Sequence, residues 1–149
     1  MKILFVSSEL TPLAKVGGLG DAVYALTKAL RELNLDVSVI IPLYEFIDKS
    51  ILEIVKENIE ISIGDKKEKI SVFRGKIPNS DIPVFFISNQ KYLSLGPAPY
   101  FEQTDFSGAQ KEIQRFVFFS LAVNKIIQEK YIGGFAVQGI EIDAGLAYA

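Results

Sequence analysis

Residues 1–42 read MKILFVSSELTPLAKVGGLGDAVYALTKALRELNLDVSVIIP, and this stretch decides the fold. Lys2 to Ser7 is a short, nearly continuous apolar run, the pattern of a strand buried on both faces of a parallel sheet. Further on, Val23, Leu26, Leu30 and Leu33 recur at helical spacing, and Ala22, Ala25 and Ala29 permit close approach to a sheet. An amphipathic helix of about fourteen residues is expected there, with Asn34 as its stop. Asp36 to Ile41 then forms a second buried strand, ended by Pro42. Strand, loop, helix and strand in about forty residues make a right-handed βαβ unit, and hence an α/β fold.

The loop between the first strand and the helix is AKVGGLGDA, residues 14–22. Glycines lack a side chain, so a ligand can approach their backbone N–H groups closely. A helix N-terminus directly after them adds unpaired donors and a favourable dipole, which makes this position a natural phosphate site. Lys15 would add a point charge. A second reading stays open, in which Gly17, Gly18 and Gly20 only shape a tight turn, Lys15 is solvated and Asp21 complements the helix dipole. The order fits neither the Walker pattern, where lysine follows the glycines, nor the dinucleotide pattern Gly-x-Gly-x-x-Gly.

With 149 residues, 49% of them hydrophobic, the chain suffices for one domain with a core and is short for two. Sixteen basic and eighteen acidic residues give a net charge of −2 with no block of one sign, so neither nucleic acid nor a membrane surface is an expected partner. The chain has no cysteine and no histidine, which excludes disulfides, cysteine-histidine zinc sites, a cysteine nucleophile and a Ser-His-Asp triad. The apolar run Ile3 to Val6 is too short for a signal-peptide core, and no run is long enough to span a bilayer, so a soluble, cytoplasmic protein is expected.

In the middle of the chain, residues 59–63 and 68–75 alternate at period two around the turn Gly64-Asp65-Lys66-Lys67, which predicts a half-exposed hairpin. Pro78 to Asp81 is a turn, Ile82 to Ser88 is apolar enough to return to the main sheet, and Gly96 to Pro99 is a loop. Ser107 and Gln110 stand at capping-box spacing ahead of a long helix over 108–130, with apolar residues at Ile113, Phe116, Val117, Leu121, Ile126 and Ile127. Phe118 and Phe119 widen that face and imply contacts on two sides. Gly133-Gly134 breaks the helix, and residues 135–143 read as a last, weak strand.

The stretch SSELTPLAKVGGLGDAVYALTKAL, with Ser8-Glu9, Pro12, Lys15, Gly17-Gly18-Leu19 and Asp21, resembles the opening of bacterial glycogen synthases and plant starch synthases, the family 5 glycosyltransferases. The resemblance is dense from Met1 to Pro42, looser from Tyr44 to Phe106, and partly returns at Arg115-Phe116 and Phe119-Ser120. It implies the N-terminal half of a GT-B fold, a Rossmann-like parallel sheet with flanking helices and an inserted β-hairpin. Such enzymes transfer glucose from ADP-glucose to the non-reducing end of an α-1,4-glucan, with retention and without a metal or other cofactor. By the same resemblance Lys15, Gly17, Gly18, Leu19 and Asp21 would lie at the ADP-glucose site, with Lys15 and the Gly17-Gly18 backbone beside the diphosphate and its glucosyl group.

The sequence departs from the family in three places. The family's His-Asp-Trp segment corresponds to Ile140-Glu141-Ile142, and its histidine has no counterpart. Its Asp-Asn pair before Arg-Phe becomes Lys111-Glu112. The chain ends at Ala149, so residues 1–149 are expected to form a single N-terminal-type domain without the GT-B partner that carries the remaining nucleotide and sugar contacts. Retaining transfer requires charge stabilisation from both sides of a cleft, so catalysis by this chain alone is not expected. Three readings compete: as the resemblance implies, a truncated or decayed glycogen synthase N-terminal domain that keeps the fold and part of the donor site but lacks catalysis; a non-catalytic interaction or regulatory subunit of carbohydrate metabolism whose aromatic helix docks a partner; and a small nucleotide- or phosphate-binding module. ADP or ADP-glucose would bind weakly, α-1,4-glucan is a further candidate ligand, and the phenylalanine-rich helix predicts self-association or a partner chain.

Overall fold

A computed structural model describes residues 2–94 and 106–132, without the side chains of 106 and 107. Its elements are β1 (Lys2–Val6), α1 (Gly18–Glu32), β2 (Asp36–Pro42), a short 3-10 turn (Lys49–Ile51), β3 (Glu53–Ile63), β4 (Lys66–Lys76), β5 (Pro83–Ser88) and α2 (Phe106–Gln128). One sheet takes the order β1-β2-β5-β4-β3. β1, β2 and β5 are parallel, while β4 and β3 continue the sheet antiparallel. The hairpin is inserted in sequence between β2 and β5. It is the far side of the main sheet, joined to β5 from Ser71↔Ser88 to Lys76↔Pro83.

β2 is buried along its whole length after Asp36, and its alternation sorts the core into two layers. Val39 and Ile41 join Val23 of α1, Leu10, Leu43, Tyr44 and Phe86 on one face. Ile40 joins Ile70, Val72, Ile87 and the α2 residues Phe118, Phe119, Val123 and Ile126 on the other. The parallel strands all point their carboxyl ends to the edge where the glycine loop, the segment after β2 and the turn after β5 lie.

Several expectations are corrected. β1 is only half-buried, because among the described residues it pairs with β2 alone. In α1 the sheet-facing positions are Gly20, Val23 and Thr27, whereas Leu26 is 50% exposed, Leu33 is 70% exposed, and Ala22, Ala25 and Ala29 face outward. Gly20 sets this rotation: a Cβ there would lie 3.1 Å from Thr11 Oγ1 and 3.3 Å from the Thr11 nitrogen, so the helix docks glycine-first. Thr27 is accepted in the core because its hydroxyl donates to the Val23 carbonyl (2.9 Å).

The stop at Asn34 is as expected, and its mechanism is visible. Asn34 takes φ of 61°, its amide donates to the Arg31 carbonyl and that of Leu35 to the Leu30 carbonyl, a Schellman closure. α2 closes in the same way at Lys130 (φ 57°), ahead of the Gly133-Gly134 expected to break it. It also already runs at Phe106, so Ser107 lies inside the helix instead of capping it.

The hairpin is longer than its alternation suggested. Lys56, Glu57 and Asn58 interrupt the apolar pattern but are absorbed as a bulge, with Asn58 at φ 56° and the register shifting between Lys56 and Ile59. Its tip is Gly64-Asp65, where Gly64 supplies the positive φ of 55° that a two-residue turn needs at its first position. On α2, Ile113, Val117 and Leu121 are exposed while Phe116, Phe118 and Phe119 are buried. Phe118 stacks on Tyr92 with ring centroids 4.4 Å apart. The rings expected to seek a partner chain are thus covered from within. The expected loop over 96–99, the strand over 135–143, and Ile140 to Ile142 lie outside the described residues.

Candidate active site

The segment from β1 to α1 leaves the sheet at Ser7, whose amide still donates to the Ile40 carbonyl (3.1 Å). Leu10 and Ala14 then exchange two backbone hydrogen bonds of 2.8 Å each, closing a tight loop that contains the cis Thr11–Pro12 peptide. The Thr11 amide donates to the Gly20 carbonyl (3.2 Å), which ties this small loop to the first turn of α1. Leu10 and Ala14 are buried, so the loop is mounted on the core, while Lys15, Val16, Gly17 and Gly18 are exposed on its outer side.

Two carboxylates organise the polar groups. Asp21, in the first turn of α1, accepts from Lys15 Nζ at Oδ2 (2.7 Å) and from Thr11 Oγ1 at Oδ1 (2.7 Å). The Lys15 ammonium and then the Thr11 hydroxyl hold the Asp21 carboxyl below the usual aspartate range. An ammonium has three donors, so this contact leaves Lys15 able to meet a second acceptor. The other carboxylate is Glu9, which is only 3% exposed. Its Oε2 accepts from the amides of Val16 (2.9 Å) and Gly17 (3.0 Å). Of the Gly17 and Gly18 amides expected to serve as ligand donors, that of Gly17 donates to Glu9 in this structure.

The glycines divide into two kinds. Gly20 is packed against Thr11 and Ala14 and serves the fold. A Cβ added to Gly17 or Gly18 would meet nothing within 4 Å, and Gly17 has extended backbone (φ −134°, ψ −156°) that any residue adopts. Neither tight packing nor positive φ requires glycine at these two positions. Their bareness opens the space in front of the α1 N-terminus, where helix amides lack intrahelical acceptors.

Behind the loop lies a buried polar cluster that sequence reading did not assemble. Tyr44 Oη donates to the Ser8 carbonyl (2.8 Å), and the Arg115 guanidinium lies 5.8 Å from the Tyr44 ring centroid. Arg115 is 1% exposed, its Nε donates to the Tyr92 carbonyl (3.2 Å), and burial pulls its pKa down. The usable signal for this group was a charged residue inside an aromatic helix, Arg115 before Phe116. Glu9 stood out in the sequence through the Ser8-Glu9 of the family resemblance, which gave no hint of its burial or of its two amide donors. A separate cavity of about 660 Å3 is walled by the hairpin tip, Lys91, Tyr92 and α2, and no residue of the glycine loop lines it.

Comparison with known proteins gives a consistent picture. The family model for the starch synthase catalytic domain matches residues 2–140. A glycogen synthase of Treponema denticola is 41% identical over 91 residues, covering 61% of this chain and 18% of its own length. One of Gloeobacter violaceus is 33% identical over 128 residues, covering 85% of this chain and 25% of its own length. Among solved structures, the catalytic domain of starch synthase IV from Arabidopsis thaliana bound to ADP and acarbose matches with a TM-score of 0.67 and 30% identity, over 86% of this chain and 25% of that one. The chain therefore spans about a quarter or less of the length of these relatives. On a match that extends over nearly all of its residues, the chain belongs to the glycosyltransferase family 5 of starch synthase catalytic domains.

Proposed function

We propose that the glycine loop holds the diphosphate of ADP-glucose, and that this chain is the N-terminal part of a retaining glucan synthase and carries one side of its donor site. The observation that carries the reading is the pair Gly17-Gly18, bare with nothing within 4 Å of either added Cβ, in front of a helix N-terminus and beside Lys15. A similar fold, the Arabidopsis starch synthase IV domain, was solved with ADP and acarbose, which supports a nucleotide and a glucan-like sugar as ligand classes.

Lys15 supplies the point charge, with Asp21 steering its ammonium at 2.7 Å. The first-turn amides of α1, from Gly18 and Leu19, supply directed donors. Asp21 acts on the site through Lys15 and Thr11, not as a donor to phosphate. In a complete site these groups would stabilise negative charge on the departing diphosphate. Stabilisation from one side leaves the oxocarbenium-like centre unsupported, so this chain alone makes no glucan.

Helix-end donors plus one lysine in a wet, half-open site are worth about 1–3 kcal/mol, whereas a millimolar dissociation constant needs about 4 kcal/mol. ADP is therefore expected to shift loop amide resonances only at millimolar levels or above, and Lys15→Ala to abolish those shifts. Incubation with ADP-glucose and glycogen is expected to release no ADP above background. Micromolar binding, chain extension by the pure protein, or shifts centred away from residues 15–21 would overturn the reading.

A further inference from the structure

We propose that Glu9 is the positioning residue of this loop, a resident counter-anion that fixes its shape, so that the donors left for a ligand begin at Gly18 instead of Gly17. The inference rests on the reading that the loop holds a diphosphate, but half of its test needs no ligand.

A carboxylate is seldom buried unless hydrogen-bonded, and Glu9 at 3% exposure is engaged by two donors on one oxygen. Successive backbone amides converging on one oxygen form a concavity suited to an anion. Here an oxygen from the protein's own chain fills it. Glu9 is also rigidly mounted. Ser7 Oγ donates to the Glu9 carbonyl (2.7 Å), the Glu9 amide donates back to Ser7 Oγ (3.2 Å), and Tyr44 Oη holds the carbonyl of Ser8 (2.8 Å). The carboxylate is thus delivered from the end of β1, backed by the sheet, to a loop whose outer residues are exposed.

A ligand phosphate could take the Gly17 amide only by expelling this buried carboxylate and leaving it without those two donors. The Gly18 and Leu19 amides require no such displacement, since the first turn of a helix has no preceding carbonyls to engage them. Glu9 therefore acts on a ligand through the loop: it holds Val16 and Gly17 in place and leaves Lys15, Gly18 and Leu19 to make contact.

The test uses the full chain, with amide hydrogen exchange and titration by inorganic pyrophosphate. In the wild-type chain the Val16 and Gly17 amides are expected to exchange slowly although they lie outside any strand. Glu9→Ala is expected to speed them at least about tenfold, consistent with loss of a charge-assisted bond. Glu9→Gln, which keeps an oxygen acceptor, should restore part of the protection and should carry the test if Glu9→Ala does not fold. Pyrophosphate is expected to move Gly18 and Leu19 most in the wild-type chain, and to lose most of its effect there in Glu9→Ala while the Glu9→Gln variant with unchanged melting temperature recovers it. Exchange at Val16 and Gly17 that ignores Glu9, or pyrophosphate shifts greatest at Val16 and Gly17, would overturn the role of Glu9. Protection that follows Glu9 together with no Lys15-dependent shift anywhere in the loop would instead reject the diphosphate reading and leave Glu9 as the clamp of a loop with no anion site.

Discussion

The glycine loop and the β3–β4 hairpin both carry the chain between core elements, yet they are held in different ways. The hairpin is fixed by a backbone ladder, and its special residues, Gly64 and Asn58, stand where a turn and a bulge demand positive φ. Gly75 of β4 belongs to the same economy, since a Cβ there would lie 2.8 Å from Leu52 Cδ2. The loop is fixed by side-chain carboxylates from Glu9 and Asp21, and its two foremost glycines answer to no internal demand. Glycines required by packing or by positive φ report on the fold; glycines under neither demand report on something outside it.

The largest expected effect breaks the hairpin side. Phe118 is buried between the sheet and Tyr92, so Phe118→Ala should cost about 3–5 kcal/mol in urea unfolding. A loss below 1 kcal/mol would mean that α2 does not close this face. On the loop side the two kinds of glycine should separate. Gly20→Ala forces a methyl against the Thr11 and Ala14 backbone and should destabilise by about 1 kcal/mol, overpacking outweighing the gain in helix propensity. Gly18→Ala should leave stability unchanged or raise it by up to about 1 kcal/mol, while removing the amide shifts caused by ADP. Equal stability losses at both positions would erase the distinction.

Helix rotation is read from a second pair of substitutions. Val23→Ala should cost about 2 kcal/mol, whereas Leu26→Gln should stay within about 0.5 kcal/mol because Leu26 is half exposed. The smallest effect is electrostatic. With the Asp21 carboxyl lowered by Lys15 and Thr11, its contribution is fully present above the ordinary aspartate value and is lost as pH falls through the lowered one. Carbon-detected titration should find Asp21 protonating below a typical exposed aspartate in the wild-type chain and returning toward the usual range in Lys15→Ala.

Much of this architecture was legible in the sequence. The strand-loop-helix-strand order, the stop at Asn34, the turn at 78–81, the return of β5 to the sheet and the long α2 all follow local rules of period and punctuation. The phase of α1 was not legible, because Ala22, Ala25 and Ala29 blur the contrast between its faces and the docking of Gly20 decides the rotation. The same limit hid which apolar side of α2 is covered. The hairpin's place in the main sheet was also hidden, since the choice of a partner strand is tertiary. At the site, Lys15, the glycines and Asp21 stood out by spacing. The burial of Glu9 did not, because a carboxylate held by backbone amides seven and eight residues away leaves no periodic trace.

The central claim is that the loop is an anion site whose usable donors are Lys15 and the first-turn amides of α1. An amide-resolved titration of the full chain with ADP tests it most directly. The account predicts millimolar, Lys15-dependent shifts centred on Gly18 and Leu19, lost in Gly18→Ala without loss of stability. Saturable ADP shifts that persist in both Lys15→Ala and Gly18→Ala, or that centre on the cavity beside Tyr92, would contradict it.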